Sequence, residues 1–403
     1  MHVLIIHQAF ASASEAGGTR HYEFARYLVG QGHRVTVVAG QVSYLTGSVV
    51  ADRPAPVEPG ITIIRPFTSR SLHKSFVHRL VSYVSFMLSS FFAALRVRDV
   101  DVVVGTSPPI FQGATALLAA RLKRVPLVFE VRDLWPDFAI ELKILRNPLI
   151  ITAARGLERL LYRSADRLLV NSPGFIPHVQ AVSGRTPTLI PNGTDASMFS
   201  PAQTGGRFRE QWRASGRFVV LYAGAHGTAN SLETVLGAAA LLRDQKEILF
   251  VLVGDGKEKA SLEAAARSAG LENIRFEPPQ PKETMPDVVA AADVCVATLR
   301  DIPLFRTTYP NKVFDYMAAG KPTLVAIDGV IRQVVEESGG GVFVPPGDAR
   351  ALAESLALLA ADRAGCARMG ASARAFVVRR FNRKDQAESF CALLEGCRVE
   401  AAA

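Results

Sequence analysis

The sequence predicts an α/β protein built from two doubly wound domains, and three features of its 403 residues carry that prediction. Short, continuous apolar runs such as Val3–Ile6 and Phe218–Ala223 are the signature of strands buried on both faces of a parallel sheet. Between them lie longer segments whose apolar residues recur at helical spacing. The alternation breaks once, into polar, glycine-containing sequence over 196–217, and then resumes. The length also exceeds what one core usually holds, so two domains are the default.

Taken in order, Val3–Ile6 is the first strand. A long loop with Gly17-Gly18 follows, then a helix over Thr19–Gly30 with Tyr22, Ala25, Leu28 and Val29 on one face, and a strand at Val35–Ala39. This opening has no G-x-G-x-x-G and no acidic residue closing its second strand, which argues against a nicotinamide or flavin cofactor. Gly17-Gly18 is either a plain turn or a place where a ligand approaches the backbone.

Residues 41–72 read as irregular connection around a strand at Ile61–Arg65. The most apolar helix follows, over Lys74–Arg98, with Phe76, Leu80, Val84, Met87, Leu88, Phe91 and Leu95 at helical spacing. Lys74, His78, Arg79, Arg96 and Arg98 bracket it. Only sixteen uncharged residues separate Arg79 from Arg96, short of the roughly twenty needed to span a bilayer. Two readings stand: a basic amphipathic helix lying in a membrane interface, or a packing helix of the α/β domain. Strands at Val102–Val104, Leu127–Val131, Arg167–Val170 and Leu189–Ile190 then alternate with helices over 112–123 and 148–164. The pair Asp99 and Asp101 precedes a strand, at the wrong end of the sheet for a metal motif.

In the second half, strands are expected at Phe218–Ala223, Ile248–Val253, 274–276, Val294–Thr298, Thr323–Ile327 and Gly341–Val344. Helices are expected over 231–243, 257–269, 284–291, 348–361 and 384–398, and from Pro310 onward. The domains are set at 1–197 and 198–375.

Composition limits the function classes. Hydrophobic residues make up 49% and charged residues 21%, a globular balance, and the formal net charge of +9 favours an anionic partner. No basic run interleaved with aromatics appears, so nucleic acid is not expected. The four cysteines show no CxxC or metal spacing, and the N-terminus lacks a signal-peptide pattern, so the expected location is cytoplasmic.

Two stretches carry the chemistry. Glu130-Val-Arg132-Asp133-Leu-Trp-Pro136 places three charges at the end of a buried strand, where they need partners or a ligand. Thr307–Pro322 (TTYPNKVFDYMAAGKP) places Pro310 at the first helical turn, so that the N–H groups of Asn311, Lys312 and Val313 are free for an anion. Lys312 adds a charge suited to a diphosphate, and Asp315 a carboxylate suited to a ribose. The same stretch also reads as a core helix, with Val313, Phe314, Met317 and Ala318 inside and Gly320 as C-cap. Glycines recur at strand ends, in Gly224-Ala225-His226-Gly227 and Gly254-Asp255-Gly256, with Pro278-Pro279-Gln280 after the next strand. They would leave room for a base and a phosphate chain.

On these residues the chain resembles the retaining GT-B glycosyltransferases of family 4, most closely the branch that builds bacterial O-antigen and capsule. The likeness rests on Gly17-Gly18, EVRDLWPD at 130–137, PNGTD at 191–195, YAGAHG at 222–227, VGDG at 253–256 and YPNKVFDYMAAGKP at 309–322. It implies two Rossmann-like domains facing a central cleft, the first for the acceptor and the second for a nucleoside-diphosphate sugar. It also implies a C-terminal helix over 376–403 that crosses back to the first domain. Asp315 matches the second acid of the family's E-x7-E motif, which holds the ribose, while Thr307 occupies the first acidic position. Arg132 replaces a histidine, and His226 and Asn230 stand where Arg and Lys often grip the diphosphate.

The expected catalytic residues are Arg132, Asp133 and Lys312. The expected donor site comprises Gly17, Gly18, Gly224, His226, Gly254, Gly256, Pro279, Gln280, Arg306, Tyr309, Pro310, Asn311, Lys312, Val313 and Asp315. The implied reaction is sugar transfer with retention from a UDP-linked donor, N-acetylated amino sugars included, to a polyprenyl-linked or saccharide acceptor. No metal or cofactor is expected. An anionic membrane surface on the inner face of the plasma membrane would be met through 74–98. Two alternatives remain: an NDP-sugar 2-epimerase of the same fold, and a non-catalytic nucleotide-sugar-binding protein.

Overall fold

The computed structural model describes residues 1–43, 47, 49, 59–70 and 76–402. They form two compact units: Met1–Ser12 with Gly17–Pro191 and Lys384–Ala403, and Ala13–Ala16 with Asn192–Arg383.

The strands of the first unit are β1 (His2–His7), β2 (Arg34–Ala39), β3 (Ile61–Ile64), β4 (Val102–Ser107), β5 (Leu127–Val131), β6 (Arg167–Val170) and β7 (Thr188–Leu189). They make one parallel sheet in the order β3-β2-β1-β4-β5-β6-β7. Its helices are α1 (Arg20–Gly30), α2 (Phe76–Arg96), α3 (Phe111–Lys123), α4 (Asp137–Glu141), α5 (Pro148–Ser164) and α6 (Ile176–Ser183). The second unit holds α7 (Gly206–Gln211), β8 (Phe218–Ala223), α8 (Leu232–Leu241), β9 (Ile248–Val253), α9 (Lys259–Ser268), β10 (Ile274–Glu277), α10 (Met285–Ala290) and β11 (Val294–Thr298). It continues through α11 (Asn311–Ala318), β12 (Thr323–Ala326), α12 (Val330–Ser338), β13 (Gly341–Phe343), α13 (Ala349–Ala361) and α14 (Arg363–Arg380). Its parallel sheet runs β10-β9-β8-β11-β12-β13. Each sheet reverses direction beside its first strand, the switch point at which such folds bind ligands.

Four expectations need correction. The polar stretch over 196–217, where the alternation breaks, lies wholly inside the second unit, which begins at Asn192 rather than 198, and Phe199, Phe208 and Trp212 are buried in its core. The segment 376–403 is not one helix, because α14 runs on to Arg380 and a new helix, α15 (Arg383–Ala402), starts after Asn382. Helix α15 packs in the first unit, with Phe390 stacked on Phe24 at 4.7 Å. Helices α12 and α14 were not expected; Gly365 and Gly370 weaken the helical pattern of α14.

The fourth concerns α2. Lys74 lies outside the described residues, and the helix begins at Phe76. Its buried face is mostly small: Ser82, Ser90, Ala93 and Ala94 turn inward together with Phe86, and Ser90 Oγ meets Thr115 Oγ1 of α3 at 3.2 Å. Small residues let α2 and α3 approach closely, which leaves Val81, Leu88, Phe92 and Leu95 on the outside. Leu118 and Leu122 of α3 are exposed as well. No described helix is long and apolar enough to cross a membrane.

Candidate functional site

In the second unit, α11 docks its first turn on the end of β8. Tyr316 Oη accepts from the Ala223 N–H at 2.8 Å and donates to the Ala223 carbonyl at 3.1 Å. Pro310 is the N-cap rather than the first helical residue, with ψ at 120°. The Val313 N–H donates to the Pro310 carbonyl at 3.1 Å, so the expected trio of free donors reduces to Asn311 and Lys312. Val313 itself is wholly buried in the core. Lys312 Nζ donates to Tyr222 Oη at 2.7 Å and lies 3.9 Å from the centre of that ring. Tyr222 passes the bond on to the Ala225 carbonyl at 2.8 Å. No carboxylate pairs with Lys312 among the described residues, and burial pushes its ammonium down to about 7.

Beside it the loops after β8 and β9 are locked together by glycine. A Cβ on Gly254 (φ +149°) would stand 1.9 Å from the Gly224 carbonyl oxygen, and one on Gly256 (φ +154°) 2.5 Å from the His226 carbonyl oxygen. Gly224 has the same φ of +149°, and a Cβ there would meet Lys312 Nζ at 2.6 Å. These glycines therefore serve loop-to-loop and loop-to-lysine approach, where the sequence suggested room for a base. His226 is fully buried, and neither ring nitrogen has a hydrogen-bond partner among the described residues. Burial, then Lys259 and Lys312, push its imidazole down to about 4, so it is neutral at pH 7.

Asp315 does not sit with Lys312. Its Oδ2 accepts from Lys282 Nζ at 2.6 Å and from Asn311 Nδ2 at 3.4 Å, and its Oδ1 accepts from Thr194 Oγ1 at 2.9 Å. Asn311 in turn accepts from Arg383 at 3.1 Å. Tyr309 packs edge-on to Phe314 and Phe381, at 5.5 and 5.9 Å, and burial pushes its phenol up to about 12. Arg306 faces Asp301 at 3.2 Å and Asp328 at 3.8 Å, so it brings no uncompensated charge. Thr307 turns its hydroxyl back to the Leu304 carbonyl at 2.6 Å. Pro279 and Gln280 lie in the half-buried loop after β10, where Gln280 donates to the Pro278 carbonyl at 3.4 Å.

The first unit gathers its own charged cluster at the ends of β1 and β5. Glu130 is fully buried, with Arg20 Nε at 2.9 Å and His21 Nε2 at 2.6 Å from its two oxygens. Burial alone would raise its carboxyl, but Arg20 and His21 outweigh that and hold it well below the usual carboxylate range. Arg20 also donates to the Ile190 and Pro191 carbonyls, at 2.6 and 2.7 Å. Arg132 Nη1 lies 2.8 Å from His7 Nε2, and the His7 and His21 rings are 4.4 Å apart. A Cβ on Gly18 would come within 3.8 Å of Arg132, so Gly18 belongs to this cluster; Gly17, with φ +152°, packs against Ala11. Asp133 has one buried carboxylate oxygen without a partner among the described residues, and burial pushes its carboxyl up to about 7. Trp135 packs edge-on to Phe111 at 5.6 Å, and Phe111 stacks on Tyr83 of α2 at 6.0 Å.

Sequence reasoning missed Lys282, Thr194, Tyr222, Arg20, His21 and His7. Thr194 stood in the quoted PNGTD and Tyr222 in YAGAHG, but nothing local marked what they touch.

Comparison with known proteins agrees with this arrangement. Residues 16–193 match the Glycosyl transferase 4-like domain, and residues 217–362 match the Glycosyl transferases group 1 domain. A putative colanic acid biosynthesis glycosyl transferase, WcaI of Escherichia coli K12, is 25% identical over 347 residues, covering 82% of this chain and 85% of that protein. The crystal structure of Anabaena HepE in complex with UDP superposes with a TM-score of 0.72 at 18% identity, covering 98% of this chain and 100% of that one. WaaG, a glycosyltransferase involved in lipopolysaccharide biosynthesis, gives 0.69 at 17% identity over 98% and 100% of the two chains.

Proposed function

The chain is a glycosyltransferase of GT-B fold, and we propose that it moves a sugar from a UDP-linked donor, with retention, to a lipid-linked acceptor in surface-polysaccharide synthesis. The observation that carries the donor assignment is Lys312: an ammonium with no carboxylate partner among the described residues, bonded to Tyr222, at the first turn of α11 beside the N–H groups of Asn311 and Lys312. A diphosphate supplies the negative charge this turn lacks. The neutral His226 offers a ring nitrogen to the same group. WcaI, named for colanic acid synthesis, and WaaG, named for lipopolysaccharide synthesis, support the polysaccharide role.

In the proposed step the bond between the anomeric carbon and the diphosphate oxygen breaks as the acceptor hydroxyl bonds to the same face of the sugar. The acceptor's proton passes to the departing phosphate, whose charge Lys312 and the α11 amides stabilise. Asp315 is held by Lys282 and Thr194, in the manner of a fixed ribose ligand. The first unit would take the acceptor, with Arg132 and Asp133 at its strand edge.

The exposed face of α2 supports a lipid-linked acceptor. Val81, Leu88, Phe92 and Leu95 are exposed, Arg96, Arg98 and Lys123 lie close in sequence to these apolar faces, and the chain carries net positive charge. Such a surface suits the cytoplasmic face of an anionic membrane. Vesicle co-sedimentation should show binding that requires anionic lipid and is lost in Leu88→Asp/Phe92→Asp.

A thermal-shift screen of nucleotide sugars tests the donor: a ligand at a hundred times its Kd adds about 2.7 kcal/mol. Turnover that vanishes in Lys312→Ala and Asp315→Asn, with both folded, supports the reading. Unchanged turnover in both would refute the site.

A further inference from the structure

We propose that His33, Cys391 and Glu395 form a metal site of the zinc class that clips the C-terminal helix α15 to the body of the first unit. The three residues come from distant parts of the chain. Cys391 and Glu395 are one turn apart on a single face of α15, and His33 sits in the turn between α1 and β2, its N–H bonded to the Leu28 carbonyl at 3.0 Å. His33 Nε2 lies 3.5 Å from Cys391 Sγ and 3.2 Å from Glu395 Oε1, and all three ligand atoms fall within 4.8 Å of one another.

Those separations fit a tetrahedral ion. With Zn–S near 2.3 Å and Zn–N and Zn–O near 2.0–2.1 Å, tetrahedral angles put sulfur and nitrogen about 3.5 Å apart and nitrogen and oxygen about 3.3 Å apart. A mixed N, S, O set selects zinc or cobalt over magnesium or calcium, which prefer all-oxygen sites. Half of Glu395 is open to solvent, which gives an entry path and room for water as fourth ligand. Binding converts the Cys391 thiol to a thiolate bonded to the metal and releases its proton to solvent. His33 Nδ1 faces the Met1 nitrogen at 3.2 Å; metal at Nε2 keeps the ring proton on Nδ1, so binding requires the amine in its unprotonated form as acceptor. The site lies apart from the groups assigned to the transfer reaction, so its role is structural. It would fasten the helix that otherwise holds to the unit through Phe390, Leu394 and Cys397.

The test uses the full chain, free of any histidine tag and stripped with chelator. Titrated cobalt should produce a thiolate-to-cobalt charge-transfer band that saturates at one ion per chain and is displaced by zinc. Zinc should raise Tm. Cys391→Ser should remove the band, and Glu395→Gln, a half-exposed position that leaves folding intact, should weaken zinc at least about tenfold. A folded wild-type chain with no band overturns the proposal. So does a band that survives in Cys391→Ser, or zinc affinity unchanged in Glu395→Gln. In those cases the cluster is only a hydrogen-bonded packing contact between His33 and α15. If Cys391→Ser does not fold, the band's intensity and the Glu395→Gln affinity decide.

Discussion

Replacing Lys312 by methionine should stabilise the empty protein while abolishing donor binding. Burial takes the Lys312 ammonium from 10.5 to about 7, a fall of about 3.5 pH units, or roughly 5 kcal/mol at 1.36 kcal/mol per unit. Water reaching the half-buried group and the loss of its bond to Tyr222, about 1 kcal/mol, reduce this to a net gain on the order of 2 kcal/mol. Methionine keeps the length and fills the space above the Tyr222 ring. The pH dependence identifies the cause. Between about pH 7 and 10.5 the unfolded chain holds the Lys312 proton and the folded chain does not, so this group makes wild-type stability rise with pH across that window. The variant should lack that rise. Urea denaturation of both proteins at pH 7 and pH 9 measures the difference, and a UDP thermal shift reads binding. A variant less stable than wild type, or one still shifted by UDP, would show that Lys312 is a packing residue and not a strained anion ligand.

Three further outcomes follow from the same geometry. UDP affinity should weaken by up to tenfold per pH unit above pH 7, as Lys312 loses its proton, with no change of slope from His226, which stays neutral above about pH 4; isothermal titration at several pH values reads it. Glu130→Gln leaves Arg20 and His21 buried against a neutral amide and should cost about 3–5 kcal/mol in denaturant melts. Because Glu130 is depressed in the fold, its contribution is present above the unfolded carboxylate range near 4.5 and is lost as pH falls below it. Gly254→Ala sets a methyl 1.9 Å from the Gly224 carbonyl at a φ of +149° and should separate the two loops, lowering both Tm and UDP affinity, whereas Gly270→Ala, at φ +61° in open space, should lower Tm only slightly.

Much of the fold was readable because buried parallel strands are locally unmistakable: β5, β8, β9 and β11 begin and end where their apolar runs do. The start of α11 was readable for the same kind of reason, since Pro310 and Lys312 act on their own turn. What local pattern hides is burial decided elsewhere. The large residues of α2 look like its core face, yet α3 takes the serine and alanine side because small side chains allow closer contact. Helix α14 carries Gly370, which looks like a breaker; a Cβ there would stand 1.9 Å from the Gly320 carbonyl, so the glycine is required by the turn it packs on. Helix α12 was open to detection, since Ile331, Val334 and Val335 fall at helical spacing and are buried. The partners of Asp315 were not, because Thr194 and Lys282 lie 121 and 33 residues away.

The two units balance buried charge differently. In the first, Glu130 is matched by Arg20 and His21, and Arg20 also donates to two carbonyls, while Asp133 keeps one buried oxygen without a partner among the described residues. The second also completes one pair, Lys282 with Asp315. It then leaves Lys312 without a carboxylate and both nitrogens of His226 unbonded among the described residues. Gly224, Gly254 and Gly256 let these loops approach each other and Lys312 closely. A buried cation without a carboxylate and a buried imidazole without hydrogen bonds lower stability in the empty state. On the proposed donor reading, a ligand bringing both negative charge and acceptor oxygens offsets that deficit, which favours a diphosphate over the nucleoside alone.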